Sequence, residues 1–125
     1  MSLLSGLMGH HSEVDLSELQ EEFSKILVEG ERIDQAFRLL RDLVVFTSKR
    51  IIHVDRQSMT GRKVVYESIP YTEVSRFSVE TAGTFDTDSE LRIWLRGQPE
   101  PIKLEFRRGG GILAVHQALA RRALR

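Results

Sequence analysis

The chain contains no cysteine among its 125 residues. Disulfide staples, thiolate nucleophiles and Cys-ligated zinc or iron–sulfur centres are therefore excluded, and a reducing compartment fits the composition. It has no apolar run approaching the ~20 residues that a membrane-spanning helix requires. Its start, Met-Ser-Leu-Leu-Ser-Gly-Leu-Met-Gly-His-His, lacks the basic leading region of a secretory signal. There is no excess of either charge: 18 Lys and Arg balance 18 Asp and Glu. Without an uncompensated basic field, nucleic acid is not an expected partner and an anionic membrane is a minor one. A soluble cytoplasmic protein is the expectation.

Catalytic patterns are missing as well. His10, His11, His53 and His116 fall on different elements. No serine sits in a nucleophile elbow, and no carboxylate pair has an acid–base setting. The sequence thus predicts neither an enzyme nor a cofactor. Glu80, Asp86, Asp88 and Glu90 gather oxygen ligands around one loop, as a hard cation would need. The loop lacks the glycine of an EF-hand turn, so a solvated acidic loop is the stronger reading and no metal is expected.

What is present is enough for one domain with a real core: 41% of residues are apolar and 29% charged. In residues 1–11, Leu3, Leu4, Leu7 and Met8 have helix-like spacing, interrupted by Gly6 and Gly9. They read as a tail or a short amphipathic helix. Residues 12–29 read as a helix. Ser12 and Ser17 offer N-terminal caps, Leu16, Leu19, Phe23, Ile26 and Leu27 form an apolar stripe, and Gly30 is the stop.

Near residue 31 the period switches to two. Strands are predicted at 31–41, 43–47, 50–55, 62–68, 74–80, 89–96 and 102–107. Pro70 is expected to break the ladder after the fourth, since it has no amide to donate. Inward Leu91, Ile93 and Leu95 alternate with outward Arg92, Trp94 and Arg96. This alternation predicts sheets with one dry and one wet face. After Gly109-Gly110-Gly111, residues 111–124 form a C-terminal helix with Ile112, Val115, His116, Leu119 and Ala123 on one side. The fold class is mainly β with α: about seven antiparallel strands in two packed sheets or an open barrel, with a helix at either end of the chain.

Particular stretches carry a resemblance. Leu-Arg-Asp-Leu-Val-Val-Phe-Thr-Ser-Lys-Arg (40–50), Asp-Arg-Gln-Ser-Met-Thr-Gly (55–61), Ser-Ile-Pro-Tyr (68–71), Ser-Arg-Phe-Ser-Val-Glu-Thr-Ala-Gly (75–83) and Glu90-Leu91 before Trp94 resemble the bacterial pleckstrin-homology (PH) domain family. The likeness covers residues 12–124. It implies a PH-like barrel plugged by the C-terminal helix, in a small stand-alone cytoplasmic protein of undefined activity that assembles as a symmetric homo-oligomeric ring. The phosphoinositide binders of that superfold carry a Lys and Arg cluster at the first hairpin. Here the turn offers only Arg41 beside Asp42, which argues against that ligand.

Two groups of candidate residues remain. Lys49, Arg50, Arg62 and Lys63, with Arg56, lie at consecutive turns and would suit a phosphate, an anionic lipid or an acidic peptide. Trp94 between Arg92 and Arg96 has the composition of an interface anchor, with Leu19 and Phe23 as further contact candidates. The leading expectation is a non-catalytic binding or assembly module whose partner is itself or an extended peptide added to a strand edge. The alternative is a peripheral binder of anionic lipid or phosphate groups.

Overall fold

In the computed structural model, which describes residues 13–56, 63–81, 88–107 and 111–124, the period-two segments form seven antiparallel strands in two sheets. The first sheet runs in the order β1 (Ile33–Arg38), β2 (Leu43–Thr47), β3 (Arg50–Asp55), β4 (Val65–Pro70). The second runs β5 (Val74–Glu80), β6 (Ser89–Leu95), β7 (Ile102–Phe106). A 3-10 turn at Tyr71–Glu73 joins the two sheets.

Strand β2 is buried at all five positions. Its alternate side chains enter different cores: Val44 and Phe46 the first, Leu43 and Val45 the second. Strand β3 divides likewise, with Ile51 on one side and Ile52 and Val54 on the other. The first core lies between the sheets and includes Leu91, Ile93, Leu104 and Phe106. The second lies under the N-terminal segment, where Val14, Leu19 and Phe23 cover the outer face of the first sheet. The expectation of one dry and one wet face therefore holds for the second sheet and fails for the first. An uninterrupted apolar strand such as Leu43–Thr47 signals cover on both faces.

The helix expected over 12–29 is much shorter. Leu16–Glu18 makes a 3-10 turn and α1 (Gln20–Phe23) a single α-turn. The segment enters extended: Glu13 bridges Phe37, and the Val14 amide donates to the Ala36 carbonyl at 2.8 Å. That pairing shields part of the β1 edge and takes Glu13 and Val14 out of the expected helix. The cap is Asp15, whose carboxylate accepts from the Ser17 amide at 3.0 Å. Ser12 and the tail at 1–11 lie outside the described residues.

Strand ends also move. β1 stops at Arg38 because the Leu39 amide turns back to the Asp42 carbonyl at 2.8 Å. Pro70 does not break the ladder early. It is the last residue of β4, opposite Arg50, on an edge strand where a missing amide is tolerated.

The C-terminal helix α2 (Ile112–Ala123) buries Ile112, Val115, Ala118 and Leu119 in the first core. Its last turn is held by Arg122, which donates to the Ala118 carbonyl at 2.6 Å and pairs with Asp34 at 3.3 Å. Among the described residues, no helix is long and apolar enough to cross a membrane.

Candidate functional site

The basic residues singled out in the sequence do not form one patch. Arg50 is held by the fold: its Nε and Nη2 donate to the two oxygens of Glu31 at 2.9 and 3.0 Å, Nη2 also to the Ile26 carbonyl, and Nη1 to Ser68 Oγ. The Glu31 side chain is wholly buried and takes two further donors, the Val28 amide and the Thr47 hydroxyl. Burial alone would raise its carboxyl. The Arg50, Thr47 and Val28 hydrogen bonds and the Arg50 charge outweigh that and bring it down to about 2. Lys49 is exposed in the β2–β3 turn, while Lys63 lies beyond the far end of the β3–β4 ladder. Five residue steps of strand separate the two ends, about 17 Å at ~3.3 Å per residue. Arg62 lies outside the described residues, and Arg56 pairs with Glu22 at 3.0 Å.

Leu19 and Phe23 are 6% and 0% exposed, inside the chain's own second core. As contact candidates they are corrected: their stripe covers the first sheet. Of the acidic loop, Glu80 and Glu90 both meet Arg92, at 3.4 and 2.7 Å, and Asp86 lies outside the described residues. His10 and His11 lie outside the described residues, and the other two histidines have separate partners. His53 sits near Asp42 and Glu67 at 3.6 and 3.7 Å, and His116 packs its ring on Phe77. Among the described residues, no three His, Asp or Glu side chains converge as metal ligands would.

The outer face of the second sheet is different. Trp94 is half-buried there, in register with Arg76 of β5, whose guanidinium lies 4.1 Å from the centre of the indole. A bulge between Val74 and Arg76 sets this register, and Ser75 in the bulge donates to the Trp94 carbonyl at 3.0 Å. Bulges re-aim neighbouring side chains in this way. Arg96, one outward position beyond Trp94, is oriented by its Nε–H bond to the Thr72 carbonyl at 2.9 Å. These groups line an open hollow of about 680 Å³ that also includes Gln98 and Pro99. No carboxylate of the described residues pairs with Arg76 or Arg96. The described N-terminal residues, 13–29, do not cover Trp94, since they pack on the other sheet.

Thus Trp94 and Arg96 come together, Arg92 is bound by its neighbouring carboxylates, and sequence reasoning missed Arg76. Its partnership with Trp94 depends on a bulge that no local pattern announces. Chemically the hollow offers an aromatic ring and two cations, and its one hydroxyl among the described lining residues, Ser75, donates to the Trp94 carbonyl.

Comparison with known proteins bears on the family and the fold. The family model described as Bacterial PH domain matches residues 2–123. "Uncharacterized protein YjqA" of Bacillus subtilis (strain 168) is 48% identical over 121 residues, covering 96% of this chain and 97% of that protein. The crystal structure of a pleckstrin homology domain from Shewanella amazonensis SB2B is 50% identical with a TM-score of 0.84, covering 98% of this chain and 99% of that one. A DUF1696 family protein with a pleckstrin-homology domain from Shewanella loihica PV-4 is 42% identical with a TM-score of 0.80, covering 90% and 97%.

Proposed function

The chain belongs to the bacterial PH domain family, and from that premise we propose that it is a non-catalytic cytoplasmic assembly module that forms a symmetric homo-oligomer, in the manner of a ring. The observation that carries this reading is the partly exposed Trp94 stacked under Arg76, on a sheet face that the described N-terminal residues do not cover. Tryptophan and arginine are the residues most enriched among energetic anchors of protein interfaces. The same face adjoins β5, an edge strand whose outer side has no strand partner among the described residues. Such an edge favours contact with another chain.

Trp94→Ala should reduce the assembly to smaller species in native mass spectrometry while circular dichroism stays unchanged. A wild-type protein that is monomeric at every concentration would refute the proposal. Binding of anionic lipid or phosphate groups through Lys49, Arg50, Arg62 and Lys63 is the weaker reading, because Arg50 is already saturated by Glu31 and its neighbours. Flotation with anionic vesicles at low salt separates the two.

A further inference from the structure

The N-terminal segment that covers the first sheet is acidic. Between residues 15 and 29 it carries Asp15, Glu18, Glu21, Glu22 and Glu29 against Lys25 alone. Three of the five are used within the chain: Asp15 as the cap, Glu18 beside Arg38 at 3.6 Å, and Glu22 on Arg56 at 3.0 Å. Glu21 and Glu29 are exposed and meet no cation among the described residues. On the other side of the molecule, Arg76 and Arg96 flank Trp94 with no carboxylate of their own, and Glu73 and Glu100 do not line the hollow.

The two unmatched surfaces cannot meet within one chain. The acidic segment lies on the outer face of the first sheet, the hollow on the outer face of the second, and the first core lies between them. Stacked sheets alone are ~10 Å apart, far beyond ion-pair reach. We propose that the occupant of the Arg76–Trp94–Arg96 hollow is the acidic N-terminal segment of a second copy, through Glu21 and Glu29. This rests on the self-assembly reading above and adds to it a direction. The contact is head-to-tail, joining unlike surfaces, and such contacts close into rings or run on into filaments. Guanidinium–carboxylate pairs across it make assembly salt-sensitive.

A charge-swap experiment on the full chain tests it. One variant carries Arg76→Glu with Arg96→Glu; the other carries Glu21→Lys with Glu29→Lys. Each alone should fall to the monomer mass at low salt in native mass spectrometry, with an unchanged far-ultraviolet spectrum. A chain carrying all four substitutions should regain the wild-type mass, since each reversed surface then meets its complement on the next copy. If wild type assembles and both variants keep its mass, the head-to-tail contact is wrong and self-assembly stands. If both two-residue variants dissociate and the four-residue variant does not reassemble, the pairing is likewise wrong. A wild type that never assembles overturns both readings together.

Discussion

Glu31 carries its charge on a side chain enclosed by its hydrogen-bond partners, and that residue governs how the molecule responds to acid. Its carboxylate receives Arg50, Thr47 and the Val28 amide, so it fastens the N-terminal segment to the β2–β3 turn. Thr47 completes the joint by accepting from the Lys49 and Arg50 amides at 3.0 and 2.9 Å. Because these bonds depress the folded carboxyl from 4.5 to about 2, the ionised form stabilises the fold fully above about 4.5 and stops doing so as pH falls through about 2. Each tenfold change in proton affinity is worth ~1.4 kcal/mol, so the contribution is about 3 kcal/mol. Urea unfolding should therefore show wild type losing about that much more stability than Glu31→Gln between those two pH values. Equal losses in the two proteins would remove Glu31 from the account. At this scale the sequence misled: Lys49-Arg50 reads as an exposed cationic pair, and only the long-range meeting with Glu31 reveals Arg50 as a structural residue.

Among the elements, the N-terminal segment departs most from its local pattern and matters most to packing. Its apolar spacing at Leu16, Leu19, Phe23, Ile26 and Leu27 was legible and correctly marks the buried side. The helical length was not legible, because the pull of the β1 edge on Glu13 and Val14 is tertiary. Phe23 is fully buried, edge-on to Tyr66 at 5.8 Å between ring centres. Phe23→Ala should cost about 3–5 kcal/mol, the range for emptying a large aromatic site, read as a fall in thermal midpoint. A change below about 1 kcal/mol would show that the segment is only loosely seated. The seven strands were readable to within a few residues because alternation survives any global arrangement. Their ends at Arg38 and Pro70 were not, since turns and edge position decide them.

For the whole molecule, the plan follows from one chain making two cores with a shared sheet. The second sheet keeps one polar face, and the interaction features collect there, at Trp94, Arg76 and Arg96. Trp94 and Arg96 were visible as outward positions of an alternating strand. Arg76 was hidden, since a bulge fixes its register with Trp94. The same layout determines which parts of the protein open last. With β2 dry on both sides, its amides reach solvent only when both cores come apart, so their deuterium uptake should proceed at the rate set by global unfolding. Exchange measured by mass spectrometry should find residues 43–47 the slowest peptide. Fast labelling there would mean that the N-terminal cover detaches on its own, and that β2 lies behind a door rather than a wall.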